Sequence, residues 1–472
     1  MDTTQSGIGR KRWLIVLPAA FVMYTISFFD RTNIGMALPH IVKEMGLTSV
    51  EAGLIGSAFA WGYVFTQIGG GFLALKFQPR RLIGIALVLF GGAAVATGMV
   101  RTYQELLAVR VVLGLAEGPI YAATSMFLAQ WFMKSERGRA FGIFNLALPA
   151  GAFLAGPISG ALLAHYDWRL MMIVEGLPAW LFCALWFAAI PKSFDSARWL
   201  SDADREVIRA NLSAEQANYA SPEADPWWKI LSEPVVWLLT LGVAFNGVLM
   251  YGTTLWLPTI MKSYGGLSEF AIGVCSGAPY VASMFGIWYI SQRSDRHGQE
   301  RRWHAAIPTM LTGVFMIAAA FVPIRLYFLQ IFCFVLVGFT LKMLNPIIYS
   351  RLTEILPTRK AIPAVALVSG LGNFIGQVLG PLIVGYMKGI STGFFLSLVT
   401  IGASAILGGI AIALARGTRE ARAEVGEEVR EEVREEVRNA ARVAARNDAR
   451  ATARASGRQP SGEPATARGD RA

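Results

Sequence analysis

The sequence contains little charge for its length. Asp, Glu, Lys and Arg make up 16% of its 472 residues, whereas a soluble domain carries roughly a quarter. Hydrophobic residues account for 54%, and the 17 residues from Trp13 to Phe29 include no charged side chain. These properties exclude an ordinary soluble domain and predict an integral membrane protein.

Cysteine is also scarce. Cys183, Cys275 and Cys333 each lie inside an apolar segment, and no two of them have a metal-binding or redox spacing. The sequence contains no nucleotide-binding loop and no nucleophile beside a base. It therefore predicts a protein that is not an enzyme and that has no metal site and no cofactor.

The formal net charge of +11 is compatible with a nucleic acid or lipid partner, and the position of the basic residues decides between them. These residues cluster at the ends of apolar segments, which is the pattern of membrane proteins. The expected partner is the lipid bilayer, and no nucleic acid is expected.

Apolar segments of spanning length recur along the chain. Twelve are predicted, near residues 13–36, 52–75, 82–100, 105–131, 140–163, 170–190, 234–260, 268–291, 305–323, 326–349, 361–387 and 392–415. The first of them follows basic residues, as the apolar region of a signal peptide does. It is too long for a signal peptide and lacks a small-residue cleavage site, so it is predicted to be the first span.

Alternate connections differ in basic residues. One set is rich in them: Arg10, Lys11 and Arg12; Lys76, Arg80 and Arg81; Lys134, Arg137 and Arg139; Arg293, Arg296, Arg301 and Arg302; Arg351, Arg359 and Lys360. The other connections have one each: Lys43, Arg101, Arg169, Lys262, Arg325 and Lys388. The positive-inside rule then predicts a multi-pass protein of a bacterial-type inner membrane, with both termini in the cytoplasm.

The longest internal connection divides the spans into six and six. We predict an N-terminal half at 1–190, a cytoplasmic linker at 191–233, a C-terminal half at 234–415 and a charged, Ala/Arg-rich cytoplasmic tail at 416–472. Ser201 precedes a charged run and predicts a short helix in the linker. The tail repeat from Glu427 to Arg438 has no heptad, so it predicts a solvated helix; a coiled coil or lipid-binding tail is the alternative.

The two halves share a motif after their second spans. "GGGFLALKFQPRR" (Gly69–Arg81) and "GIWYISQRSDRHGQERR" (Gly286–Arg302) both place glycine at a helix end and close on two arginines. Equivalent positions in two halves are expected of a duplicated transporter. The second copy matches the cytoplasmic loop motif of the major facilitator superfamily, whereas the first has Leu75 and Gln78 in place of Asp and Gly.

Further stretches extend this resemblance over about residues 13–415. They are "DRTN" in the first span, "FAWGY" (Phe59–Tyr63), "RVVLGLAEGP" (Arg110–Pro119), "WFMKSERGRAFGIFN" (Trp131–Asn145), "DWRLMMIVEGLPA" (Asp167–Ala179), "WLPTIMKSYGGLS" (Trp256–Ser268) and "SDRHGQERRWH" (Ser294–His304). The chain resembles the major facilitator superfamily and, within it, the anion:cation symporters such as galactonate, tartrate, phthalate and hydroxyphenylacetate carriers. The resemblance implies an all-α membrane fold of twelve helices in two six-helix halves.

Few ionisable residues lie well inside the predicted spans, where each charge costs roughly 2.5–3.5 kcal/mol on insertion scales. They are Asp30, Arg31, Arg110, Glu117, Glu175 and Lys342. Glu117 follows Arg110 by seven residues, or two helical turns, so the two share a face. A buried carboxylate near an arginine can gain and lose a proton, because burial favours its neutral form and the cation its charged form. A structural ion pair is the alternative interpretation of Asp30 and Arg31.

The resemblance implies roles for these residues. Arg31 binds the substrate carboxylate, Asp30 and Glu117 carry protons with Arg110 beside them, and Tyr63 donates to the substrate. From the sequence itself we add Tyr24 and Ser27, which form one polar stripe with Arg31, and Lys342, Ser369 and Asn373 as polar residues lining the cavity. Asp295, Arg296 and Arg302 are predicted to form the gating loop.

These features predict a secondary active transporter, expected to be a monomer, which takes up a small organic anion with protons by alternating access. The substrate is a monocarboxylate or dicarboxylate, either aromatic or a sugar acid. Leu148 stands about where the sugar-acid carriers have a polar amide, and the set Trp61, Tyr63, Trp256, Tyr280 and Trp288 suits an aromatic acid. An exporter of metabolites or drugs, and a receptor or scaffold that does not transport, are the alternatives.

Overall fold

The computed structural model describes residues 10–218, 227–296, 301–356, 358–416 and 430, and this part of the chain is helical with no strand. The first eight helices are α1 Arg10–Met45, α2 Ser49–Phe77, α3 Pro79–Met99, α4 Tyr103–Glu117, α5 Ile120–Trp131, α6 Lys134–Asn145, α7 Ala147–Leu163 and α8 Trp168–Ala189. The rest are α9 Asp202–Asn218, α10 Pro234–Lys262, α11 Glu269–Arg296, α12 Arg301–Phe321, α13 Tyr327–Leu341, α14 Leu344–Ile355, α15 Thr358–Ile390 and α16 Phe395–Leu414. The tail segment predicted to be a solvated helix lies almost wholly outside the described residues.

Within the described ranges, eleven helical segments are long and apolar enough to cross a membrane. The bent helix α2, whose parts Ser49–Gln67 and Gly69–Phe77 meet at 55°, brings the number to twelve if it counts as one span. The predicted all-α membrane fold is thereby confirmed. Helix α9 begins where Ser201 predicts it, and the Ser201 hydroxyl accepts a hydrogen bond from the Asp204 backbone N–H.

Helix α1 continues beyond the predicted boundary at residue 36 and ends at Met45. Pro39 lies inside it without ending it. Gly46 has a φ of 65°, a conformation that glycine adopts at little cost, and the helix stops there. Thr48 then caps α2 in a reciprocal capping box with Glu51.

Two spans are broken beside buried charges. Helix α4 ends at Glu117, and α5 starts just after Pro119, which lacks the N–H that a continuous helix requires. Helix α13 ends just before Lys342. Pro346 disfavours helical geometry at Lys342, because its ring clashes with the carbonyl four residues earlier. Proline therefore interrupts each span at the level of an ionisable side chain.

Glycines allow close packing between helices of the first and second sets of spans. A Cβ atom on Gly156 of α7 would lie 2.1 Å from the backbone oxygen of Gly273 in α11. A Cβ atom on Gly35 of α1 would lie 3.0 Å from the Leu255 oxygen of α10. Any larger side chain would separate these backbones, which explains the small residues of the sequence at these positions.

An ionic cluster joins the same helices near Met45. Lys262 Nζ, at the end of α10, lies 2.6 Å from Glu269 Oε1 at the start of α11 and 2.9 Å from His40 Nε2 of α1. His40 Nε2 is 3.3 Å from the same Glu269 oxygen. This end of the bundle, which we call the Met45 end, is therefore held together by both close packing and charge.

The loop motif after the second span, which departs from the family motif at Gln78, has unusual backbone geometry at that residue. Gln78 stands where the family motif has glycine, and among the described non-glycine residues it is the one with a positive φ, 65°. The backbone thus keeps a conformation typical of glycine although the residue has changed. Asp295 and Arg296 end helix α11, and their side chains lie outside the described part of the chain.

Candidate functional site

Arg31 and Glu117 form a largely buried ion pair. Arg31 Nε donates to Glu117 Oε2 at 2.5 Å, and the Ser27 hydroxyl donates to the same oxygen at 2.9 Å. Ser27 and Arg31 are four residues apart and so share one face of α1, opposite the end of α4. The Glu117 side chain is 0% exposed and that of Arg31 12%. Two predicted site residues therefore meet directly, although one was expected to bind substrate and the other protons.

Aromatic rings surround the Arg31 guanidinium. Its central carbon lies 4.4 Å from the ring centroid of Tyr63, 5.4 Å from that of Phe59 and 5.7 Å from that of Phe28. Ring faces stabilise a cation away from water. Arg31 Nη2 is buried without a hydrogen-bond partner in the structure, so part of the guanidinium is free to take an acceptor.

Arg31 lines a central cavity of about 60 Å³ between the two sets of spans. Arg110 and Thr32 also line it, together with Tyr251 and Gln377 from the second set. This volume is well below the roughly 300–1,000 Å³ of typical small-molecule sites, so the cavity must widen in order to admit an organic acid.

Asp30 points away from Arg31 into a different polar cluster. Its Oδ1 accepts from Asn33 Nδ2 at 3.2 Å, and the same nitrogen donates to Glu175 Oε2 at 3.0 Å. Ser159 donates to the other Glu175 oxygen at 2.7 Å. The separation of Asp30 from Arg31 follows from their positions about 100° apart on α1.

Arg110 is a buried cation near both acidic groups. It is 3% exposed, and its guanidinium is 5.2 Å from the Phe59 ring centroid. Electrostatic interactions link it to both Asp30 and Glu117. The two-turn spacing of Arg110 and Glu117 thus places both in one charged region without a direct bond recorded between them.

The other predicted binding residues do not line the central cavity. Tyr24 packs on Phe144, with ring centroids 4.9 Å apart, and Lys342 Nζ lies 3.1 Å from Met250 Sδ. Ser369 donates to a carbonyl of its own helix. Asn373 accepts from the Tyr251 hydroxyl at 3.4 Å and so stands one contact behind the cavity wall.

Tyr251, Thr254 and Gln377 line the cavity and were missed at the sequence level. Gln377 Nε2 donates to the Tyr251 hydroxyl at 3.0 Å, and Tyr280 donates to Thr254 at 2.9 Å. Gln377 follows Asn373 by four residues, so the helical spacing of that polar pair was a usable signal. Of the aromatic residues proposed for an aromatic ligand, Tyr280 alone is among the cavity residues.

The predicted gating residue Arg302 lies at the start of α12, with its guanidinium 4.7 Å from the Trp303 ring centroid. A larger cavity of about 510 Å³ lies at the Met45 end, lined by residues including Lys262, Tyr264 and Lys388. It contains none of the buried acids and arginines. We therefore regard the small central cavity as the functional site, because the buried charges converge there.

Comparison with known proteins gives consistent results. The family model of the major facilitator superfamily matches residues 20–361 and 266–456. A quinolone resistance transporter of Acinetobacter baumannii is 26% identical over 397 residues, which cover 82% of this chain and 91% of the relative. A D-galactonate transporter of Escherichia coli O6:H1 is 25% identical over 421 residues, covering 86% of this chain and 96% of the relative.

A solved structure shares the fold. It is a bacterial homologue of the human lysosomal transporter Spinster, in an inward-facing and occupied conformation, with a TM-score of 0.70 at 18% identity. The match covers 86% of this chain and 97% of that chain. These proteins are transporters, in keeping with a sequence that predicts no enzyme. With its membrane-spanning helices and the extensive match to the family model, the chain belongs to the major facilitator superfamily of multi-pass membrane transporters.

Proposed function

We propose that this transporter takes up a small organic anion together with protons by alternating access. The observation that carries the proposal is the largely buried Arg31, whose Nε binds Glu117 and whose Nη2 has no hydrogen-bond partner at the central cavity. A guanidinium can bind a carboxylate through two parallel hydrogen bonds. A substrate carboxylate and Glu117 therefore compete for one cation.

This competition provides a route to coupling. When the substrate takes Arg31, Glu117 loses its cation while it stays buried, and an uncompensated buried carboxylate favours its protonated form. Asp30, which interacts electrostatically with Arg110, supplies a second acid in the same region. Protons then bind with the anion and leave with it, and the proton is the only coupling ion that the proposal requires.

The contacts at the Met45 end support a conformation closed on one side. Close glycine packing and the cluster of His40, Lys262 and Glu269 hold α1 against α10 and α11 there. If the positive-inside rule gives the orientation, this is the periplasmic side. Opening of that end and closure at the other would present Arg31 alternately to the two sides, with the two six-helix halves, 1–190 and 234–415, as the moving bodies.

Organic acids are the substrates that best suit this site. The relative named a D-galactonate transporter and the similarity to organic-acid carriers both support an anion. The relative named a quinolone resistance transporter supports the alternative of an exporter. The buried arginines argue against a cationic cargo in either case, because they would repel it.

A carboxylate panel tests the proposal. Purified protein is heated with D-galactonate, tartrate, phthalate or 4-hydroxyphenylacetate, and we expect at least one class to raise the melting temperature. In vesicles, that acid should accumulate only when the outside is acidic. Stabilisation by a permanently charged cation such as tetraphenylphosphonium, with none by the acids, would overturn the proposal in favour of an exporter of cations.

Orientation is tested separately. We expect a tag at the C-terminus and one inserted between residues 205 and 215 of α9 to face the cytoplasm of the bacterial inner membrane, because basic residues flank the same side of every span pair. The measurement is labelling of intact cells with an impermeant reagent. Labelling of either tag from outside would contradict the twelve-span topology.

A further inference from the structure

Glu175 is a buried carboxylate that the coupling scheme above does not use. It is 6% exposed on α8, and its two oxygens accept from Ser159 of α7 and from Asn33 of α1. Both donors are neutral. Among the described residues no cation is recorded in contact with Glu175, which distinguishes it from Glu117 with its bond to Arg31.

Among the described residues, Asp30 is the charged group that interacts with Glu175. Helix α7 has no ionisable residue, and the arginines of α3 are at its first turn, where Arg80 binds the carbonyl of Ile190. Arg169, at the start of α8, pairs with Glu44 at 2.8 Å. Arg31 and Arg110, which line the central cavity, interact electrostatically with Glu117 and Asp30 instead.

Asn33 ties the two acids together. One amide nitrogen donates to Asp30 at 3.2 Å and to Glu175 at 3.0 Å, and Asn33 itself is 1% exposed. An amide has two N–H bonds and can satisfy one oxygen with each. Two negative charges held on one buried nitrogen repel strongly at low dielectric, so the pair is stable when one of the two acids is protonated.

We propose that Glu175 is a further proton-binding site of the transporter, linked to Asp30 through Asn33. It holds a proton as a neutral acid, while Asp30 remains charged. If Arg110 moved away from Asp30 during the transport cycle, the proton would pass from Glu175 to Asp30 and the negative charge would move to Glu175. For its role in transport this site rests on the proton coupling proposed above, but protonation of Glu175 can be tested without any substrate.

The test is infrared titration of the purified protein in lipid. A protonated carboxyl group gives a carbonyl stretch that an ionised one lacks. We expect the wild-type protein near neutral pH to show a carboxylic-acid band that is lost in Glu175→Gln, and the exposed Glu206→Gln of α9 to leave that band unchanged. Asn33→Ala should move the pH at which this band disappears, because it uncouples Glu175 from Asp30.

A second variant guards against misfolding. If Glu175→Gln does not fold, Ser159→Ala removes one hydrogen bond to Glu175 and should shift the frequency of the same band. Identical carboxylic-acid bands in the wild-type protein and Glu175→Gln, or no shift in Ser159→Ala, would overturn the proposal and leave Glu175 as an ionised packing residue. If the carboxylic-acid band of Glu175 is present but uptake does not depend on the pH gradient, only the proposed proton-coupled uptake is refuted.

Discussion

Arg31→Ala is expected to abolish binding of the organic acid while the protein still inserts into the membrane. Arg31 supplies the unpartnered guanidinium nitrogen at the central cavity. Loss of one partner from a buried ion contact costs about 3–5 kcal/mol, which corresponds to a loss of affinity beyond a hundredfold. The measurement is the dissociation constant of the acid identified in the carboxylate panel, by titration calorimetry on purified protein.

Because Arg31 is paired with Glu117, the binding experiment on Arg31→Ala needs several control variants. Arg31→Ala leaves Glu117 buried without its cation, so Arg31→Ala combined with Glu117→Gln should restore stability and still fail to bind. Arg31→Lys should recover binding poorly, because an ammonium lacks the planar fork. Arg209→Ala, a matched change on the exposed helix α9, should leave affinity unchanged. Binding that survives in Arg31→Ala would make the pair a structural bridge.

Asp30→Asn and Glu117→Gln are expected to separate binding from proton coupling. Each imitates the protonated acid at nearly constant shape, and an amide oxygen can still accept the bonds from Asn33 or Ser27. Binding should persist in both variants, accumulation against a gradient should be lost, and at least one variant should still exchange the acid across vesicle membranes. The measurement compares proton-driven uptake with counterflow in the same vesicles.

The exposed acid Glu206 again offers a control. Glu206→Gln should show wild-type accumulation and wild-type counterflow, since Glu206 lies on α9 outside the spans. Loss of both uptake and counterflow in Asp30→Asn and Glu117→Gln would indicate a folding defect rather than a coupling defect. Proton-driven accumulation that continues in both variants would refute their role as proton carriers.

The membrane fold could be predicted from the chain alone. Long apolar runs with basic residues at alternate ends leave few arrangements other than a bundle of spans, because bilayer thickness sets their length. Charged side chains are costly inside a membrane, so the sequence also identified Asp30, Arg31, Arg110 and Glu117 as candidate site residues. The pitch of an α-helix also predicted that the side chains of Asp30 and Arg31 point about 100° apart around the helix axis.

The partners of these charges were decided by tertiary structure. Ser27 and Arg31 were expected to reach the substrate, yet both contact Glu117 of α4, whose distance from α1 no local pattern encodes. Asn33 and Glu175 lie 142 residues apart and meet only because α8 packs on α1. Periodicity within a span gives the face of a side chain, whereas its neighbour depends on which helix covers that face. The sequence by itself determined the spans and the charges they contain, and helix packing alone decided that Arg31 is shared with Glu117 and that Glu175 lies beside Asp30.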